Sequence, residues 1–466
     1  MKIKYKYILY LLVIALSSCS EDILNKKQDA ATASPSSISD YQYLLDGIEG
    51  GIINNAPGLY SFRSFGNYLS DESYATDANY ATYFSKKNLE KGVLTWDNSL
   101  MFNGLSSLFE WDKQYKTILY ANVALEGVNS ISPSNSEKAA WNTVKGTALF
   151  IRAQMYYNLA QFWAKPYNAT TADTDQGIIL RNSSDPDEVS TRSTVKQTYT
   201  QIISDFKESL KYLSNTSSAN TQISKVRPSK AGAYGALART YLATGDYNNV
   251  LAYSDSTLQL YSTLLDYNDL LDYGYIYALD NFNAETIHYS MDQGGAIGSD
   301  GGVWTVSDGL YSLYDSNDLR KSMFFMKNRR TGLLVWVGDY AAFSAFTGIA
   351  VDEMYLTRAE ANARLGNTDA AMADLNTLLV KRYITGTFVN LTASSPADAL
   401  NQVLLERRKE LANRGLRWTD IRRLNIPISR TVNGTTYTLS AGDSRYTLQI
   451  PAYVISASNG SIEQTK

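Results

Sequence analysis

Apolar residues recur at spacings of three and four along most of the chain, and two long stretches break the rhythm. Leu108, Trp111, Tyr115, Ile118, Asn122 and Leu125 mark one face of a helix, so Trp111 and Tyr115 read as packing residues. Val144, Ala148, Ile151, Met155, Leu159 and Phe162 mark the next, and Lys165-Pro166 ends it because the residue before a proline is pushed out of the helical region. Another helix is predicted near Thr194 to Leu213. Further on, Met354, Ala361 and Leu365 form one stripe and Ala371, Leu375, Leu378 and Leu379 a second, which predicts two antiparallel helices joined at Gly366-Asn367. Gly366 can take the positive φ that stops a helix, and Thr368 or Asp369 can cap the one that follows. The segment ALNQVLLERRKELANRGLRWTDIRRLN then reads as one more helix, dense in arginine at its end and carrying Trp418.

The hairpin at Gly366 has an earlier counterpart. In SKAGAYGALARTYLATGDYNNVLAYSDSTLQL a helix containing Leu237, Ala238 and Tyr241 precedes a turn at Gly245-Asp246-Tyr247, and Val250 follows. Aligning the two glycines puts Ala238 over Ala359 and Val250 over Ala371, so small or apolar residues recur where the two backbones must approach. Both segments resemble degenerate tetratricopeptide units, in which stacked helical hairpins bury a shared face.

The two interruptions, about 57–103 and 267–346, are irregular and rich in aromatic residues among Gly, Asn, Asp and Ser. Such segments can present flat apolar ring faces beside hydrogen-bonding groups. The candidate ligand contacts are Tyr74, Tyr80, Tyr83 and Trp96 in the first and Trp304, Tyr311 and Trp336 in the second, chosen as aromatic residues outside helical periodicity. For each ring a packing role stands open beside the ligand role. The glycine run GGAIGSDGG predicts sharp turns, and it lacks both the GxGxxG spacing and the Lys-Ser/Thr pair of a phosphate loop.

Composition narrows the function. With 466 residues, 44% hydrophobic and 19% charged, the chain can bury a large core. Its net charge is −3, and more negative once Lys2, Lys4 and Lys6 at the start are set aside, which disfavours nucleic acid. The opening MKIKYKYILYLLVIALSSC has a basic start, an apolar run too short to cross a bilayer, and small residues before Cys19, the one cysteine in the sequence. Leu16-Ser17-Ser18-Cys19 resembles the lipobox of bacterial lipoproteins, which implies a signal peptide over 1–18, acylation of Cys19 and a flexible tether over 19–39, with the folded domain spanning 40–466. Ser20 followed by Glu21-Asp22 resembles the acidic export signal of Bacteroidetes surface lipoproteins.

Catalytic signatures are absent. The chain has one histidine, His288, which reads as structural, and no HExxH, GxSxG or CxxC. Carboxylate pairs of the glycosidase kind are not ruled out by 46 acidic residues. Asp173 and Asp175 fall short of a calcium loop and read as a polar turn, so no metal or cofactor is expected. Arg407, Arg408, Lys409, Arg414, Arg417, Arg422 and Arg423 could pass for an anion patch, but beside Glu406, Glu410 and Asp420 they read as a helix-end ion-pair network.

The ordered set Trp111 to Asn122, RAQMYYNLAQFWAKPYN, GIIL, EMYLTRAEANARLGN and RRKELANRGLRWTDIRR resembles the SusD/RagB family of Bacteroidetes outer-membrane lipoproteins. Two departures, Leu416 and Ile179, fall at structural positions, and Asp318 and Arg320 in NDLRK match a further family position, where the resemblance implies an internal ion pair. The resemblance implies a mostly α fold: a tetratricopeptide-like scaffold whose loop-rich insertions carry the ligand site. It also implies a non-enzymatic, lipid-anchored protein on the outer membrane, facing the cell exterior. Such a protein captures an oligosaccharide, or alternatively a peptide, and delivers it to a SusC-like TonB-dependent transporter. A purely structural lid or adhesin is the alternative without a ligand.

Overall fold

The computed structural model describes residues 35–49, 52–53, 65–216, 222–273, 279–292, 303–338, 340–341 and 345–465. The leader, Cys19 and most of the tether lie outside the described residues, as do the start of the first irregular stretch and the whole glycine run. The chain is mostly α-helical. Its long helices are α1 (Ile38–Asp46), α2 (Phe109–Ser130), α3 (Lys138–Trp163), α4 (Val195–Ser209), α5 (Lys230–Thr244), α6 (Tyr247–Leu260), α7 (Val351–Arg364), α8 (Thr368–Leu379), α9 (Pro396–Glu410) and α10 (Leu416–Leu424). Each packs on the next from α2 through α8, α9 lies on α7 and α8, and α1 lies across α2 and α3.

The two hairpins read from sequence are α5–α6 and α7–α8. Gly245 (φ 76°) and Gly366 (φ 86°) both end their helices in the left-handed region, where a side chain would be strained. Both turns close in the same way, with Asp246 N–H donating to Tyr241 O at 3.2 Å and Asn367 N–H to Asn362 O at 2.8 Å. Ala238, Val250, Ala359 and Ala371 are all fully buried between the paired helices. The expected cap at Thr368 or Asp369 is not the one used: Asn367 holds that position and makes no side-chain cap bond. Its amide is turned back to Asn362 Oδ1 at 3.2 Å, helping to close the preceding helix.

The arginine-rich segment is two helices rather than one. Asn413 (φ 60°) and Gly415 (φ 68°) break it between α9 and α10. The break lets α10 fold back onto the short helix Phe65–Leu69. That contact needs Gly66, because a Cβ there would meet Trp418 Cβ at 3.0 Å and Gly415 O at 3.3 Å. Trp418 itself is fully buried in the main core.

A buried ionic lattice joins the second irregular stretch to this frame. Arg320 is bound by Asp318 (2.8 and 2.7 Å), Glu406 (2.7 Å) and Glu410 (2.9 Å). Arg382 bonds Glu410 (2.7 Å) and Glu285 (2.8 Å), and its guanidinium lies 4.0 Å from the Tyr267 ring. Arg414 bonds Asp352 at 2.8 Å and stacks 4.4 Å from Tyr340, whose hydroxyl donates to Glu285. The expected Asp318–Arg320 pair and the network around α9 and α10 are thus observed, with all these groups buried. Arg408 and Arg417 both bind Asp71, Arg407 binds Asp420, and Arg423 binds Glu360 and Asp420. Arg422 differs, donating to the carbonyls of Ala160, Gln161 and Ala164 at the end of α3.

Removing one partner from such a lattice leaves opposite charges buried and unpaired. Arg320→Met is therefore expected to lower the unfolding free energy by about 3–5 kcal/mol in denaturant titration. Lys196→Ala, which deletes the exposed pair with Asp173, is expected to cost less than about 1 kcal/mol.

Candidate functional site

The two irregular stretches meet. Strand β1 (Ser73–Tyr74) pairs antiparallel with β2 (Thr305–Val306), Tyr74 facing Thr305 and Ser73 facing Val306. Ser307 locks the junction, its N–H donating to Glu72 O and its hydroxyl to Asp71 O, both at 2.8 Å. Asn79 Nδ2 donates to Val303 O at 2.8 Å across 224 residues of sequence. Thr305 Oγ1 donates to Leu334 O at 2.7 Å, which brings in the hairpin of β3 (Phe325–Lys327) and β4 (Leu334–Trp336). A third wall comes from the C-terminal hairpin, β5 (Ile428–Val432) and β6 (Thr435–Leu439), where Asn433 N–H donates to Asp77 Oδ1 at 2.7 Å.

After β1 the chain makes one turn capped by Thr76 and then a single π-helical turn, Tyr80–Phe84, closed by Ser85 N–H to Tyr80 O at 2.8 Å. The wide turn sends Phe84 inward and leaves Tyr83 47% exposed. Trp304 lies half-buried on Phe84 (centroids 5.2 Å apart) and on Tyr68 (4.8 Å). Phe84, Ala75, Leu94, Val303 and Val432 form a small separate cluster, with Tyr80, Trp304 and Tyr437 half-buried at its edge. Tyr74, Tyr80, Tyr83 and Trp304 are thus carried on segments that converge. Tyr311 and Trp336 belong to the adjoining cluster: Tyr311 is edge-on to Phe325 at 5.4 Å, and Trp336 packs on Phe324 (4.9 Å) and Phe325 (5.3 Å). Both are half-buried.

Trp96 is a correction. It is 2% exposed, its indole N–H donates to Leu69 O at 2.8 Å, and the Arg430 guanidinium lies 4.8 Å from its ring. It therefore supports the floor of the site from inside and offers no face to solvent. Leu89, Val93 and Trp96 continue one helical stripe at spacings of four and three, the signal that marks the tryptophan as core. Tyr68 and Tyr437, which sequence reasoning did not select, stand beside Trp304. Tyr437 was findable from Asn433-Gly434, both at positive φ, a hairpin signature that places alternate residues of β6 on one face.

Beneath the junction sits an acidic pair. Burial works against ionisation of Asp71, but Arg417 and Arg408 hold its carboxyl below the usual range. Glu72, fully buried beside it, is pushed up to about 8 by burial and by the Asp71 charge. Its Oε2 accepts from Asn413 N–H at 3.2 Å. His288 is buried edge-on to Phe150 at 4.7 Å, and burial drives its pKa down to about 3, as fits a packing residue. Asp173 and Asp175 are held by Lys196 and Lys165, each at 3.0 Å. Among the described residues no group of His, Cys, Asp or Glu is placed to hold a metal ion.

The sign of the Glu72 effect is fixed. The folded protein holds a proton that the unfolded chain releases near pH 4.3, so this stability is fully present below that pH and is lost as pH rises through about 8. Thermal and denaturant unfolding should show Glu72→Gln gaining on the unsubstituted protein by up to about 1.4 kcal/mol per pH unit between roughly pH 5 and 8, with no change in the difference below about pH 4.

Comparison with known proteins agrees with this architecture. Residues 22–242 match the SusD-like family described as "Starch-binding associating with outer membrane", and residues 351–453 match the SusD family. A SusD-like protein P2 of Formosa agariphila is 25% identical over 384 residues, covering 70% of this chain and 72% of its own. A SusD superfamily structure from Bacteroides thetaiotaomicron superposes with a TM-score of 0.73 at 22% identity, over 92% of this chain and 100% of the other. A SusD-like carbohydrate-binding protein from Bacteroides vulgatus gives 0.61 at 19% identity, over 91% and 94% of the two chains. A laminarin-binding SusD-like protein gives 0.63 at 19% identity, over 92% and 96%. Two matched segments in the expected order, on a fold shared along nearly the whole chain, make this protein a member of the SusD/RagB family.

Proposed function

We propose that this protein captures an oligosaccharide at the cell surface and delivers it, uncleaved, to a SusC-like TonB-dependent transporter in the outer membrane. The observation that carries this reading is the convergence of Tyr80, Tyr83 and Trp304, with Tyr68 and Tyr437, at one edge of a rigid frame. Ring faces meet the C–H faces of sugars, while Asn79, Asp77 and backbone groups nearby suit hydroxyls. Tyr74 on β1, Tyr311 at the end of the short helix Asp308–Tyr311 and Trp336 on β4 extend the surface. Acylation at Cys19, after removal of residues 1–18, tethers the domain through residues 19–39. Support at the level of the family comes from the relatives described as carbohydrate-binding and laminarin-binding.

Isothermal titration against a panel of oligosaccharides and oligopeptides tests the reading. Trp304→Ala is expected to weaken glycan binding by more than about tenfold and Tyr83→Ala by roughly threefold to tenfold, matching about 0.5–1.5 kcal/mol for each ring contact. The glycan should be recovered intact. Heat with peptides and none with any glycan, or binding that both substitutions leave unchanged in folded protein, overturns the assignment.

A further inference from the structure

Cations collect around the aromatic edge although the chain as a whole is acidic. Across residues 73–91 and 303–337 there are eight Lys and Arg against five Asp and Glu, in a protein of net charge −3. Several of the eight are spent. Arg320 belongs to the buried lattice, Lys321 donates to Tyr314 O at 2.8 Å and covers the Tyr311 ring, and Lys87 pairs with Glu90 at 3.4 Å. Lys86, Lys327 and Arg329 are exposed and make no ion pair among the described residues.

These three stand on both flanks of the rings. Lys86 follows the π-helical turn by two residues, and Phe84 of that turn lies under Trp304. Lys327 pairs in register with Leu334, whose carbonyl accepts the Thr305 hydroxyl, and Thr305 faces Tyr74 across the β1–β2 ladder. Lys327 and Tyr74 are thus linked through Leu334 and Thr305, on the two hairpins that this side-chain bond joins. Arg329 sits in the adjacent turn, which Asn328 closes through Leu333 O at 2.8 Å. Of the five carboxylates, Glu90 and Asp318 are ion-paired with Lys87 and Arg320; Asp77, which accepts from Asn433 N–H, Asp308 beside Tyr74 and Asp315 keep their charge, and the two stretches retain an excess of three positive charges (8 − 5).

We propose that the cargo of this site is an anionic glycan, whose carboxylate or sulfate groups are met by Lys86, Lys327 and Arg329 while its sugar faces lie on Trp304, Tyr80 and Tyr83. This rests on the carbohydrate-capture reading above. Exposed cations of this kind act at distances near the Debye length, about 8 Å in physiological salt, so they steer and select more than they anchor.

Affinity electrophoresis and titration of the full chain provide the test, using polygalacturonate and a sulfated galactan as the acidic probes and a β-1,3-glucan and a xylan as the neutral ones. Binding to at least one acidic glycan should exceed that to the neutral ones by about tenfold, and should fall about tenfold between roughly 50 and 500 mM NaCl. Which acidic probe binds tells uronate from sulfate. The triple variant Lys86→Ala, Lys327→Ala, Arg329→Ala should fold normally and lose the preference, while Trp304→Ala weakens binding to every glycan by about tenfold and keeps the preference. Neutral glycans bound as tightly as acidic ones, or acidic binding that the triple variant keeps, overturns the anionic cargo and leaves the capture reading standing. Equal binding of single-stranded DNA overturns it as well, by reducing the effect to unspecific charge. A folded protein that binds no glycan overturns both.

Discussion

The site depends on an ionic lattice buried beneath it. Arg320 and Arg382 join Asp318 and Glu285 to Glu406 and Glu410 of α9, and Arg414 holds Asp352, which meets Glu285 through the Tyr340 hydroxyl. Charges this deep are tolerated only with partners on every side, so the lattice admits one arrangement of the segments that supply them. The second irregular stretch has few helical contacts of its own. Its position is set by this lattice and by the aromatic cluster of Tyr267, Tyr289, Phe324 and Phe346 that packs beside it.

From that anchor the order passes outward in short steps. Asp71, clamped by Arg408 and Arg417, fixes the start of β1 against the closing helices. Ser307 then ties β2 to the backbone of Asp71 and Glu72, and Trp304 is delivered onto Tyr68 and Phe84. The rings exposed at the surface are thus supported by rings that are not: Trp96, held by Leu69 O and Arg430, belongs to the support. A surface built this way needs little rearrangement to bind, which keeps the ordering cost of association low.

Much of the frame was legible in the sequence. Spacings of three and four gave the helices, and two glycines with small residues at matched offsets gave the paired hairpins, because backbone approach and left-handed turns leave few residue choices. The buried Asp318–Arg320 pair was legible through the resemblance to the family, whose pattern those two residues match. The break between α9 and α10 was not, since Asn413 adopts a conformation that propensity alone does not announce. The site was half legible. Aromatic residues outside the helical period could be gathered from sequence, but which face inward depends on pairings more than 200 residues apart, such as Asn79 with Val303. Trp96 shows the error that follows, and Tyr437 the omission.

The central claim is that rings from two distant segments form one cargo-holding surface over a buried ionic frame. A crystal structure of the protein with an oligosaccharide from a polymer it retains tests this most directly. The account predicts sugar rings lying on Trp304 and Tyr83, between the π-helical turn and the C-terminal hairpin, with the glycosidic bonds whole and the frame unmoved. A ligand seated elsewhere, for instance in the polar groove of about 570 Å³ that Arg192, Lys196 and Gln201 line beside α4, would contradict it.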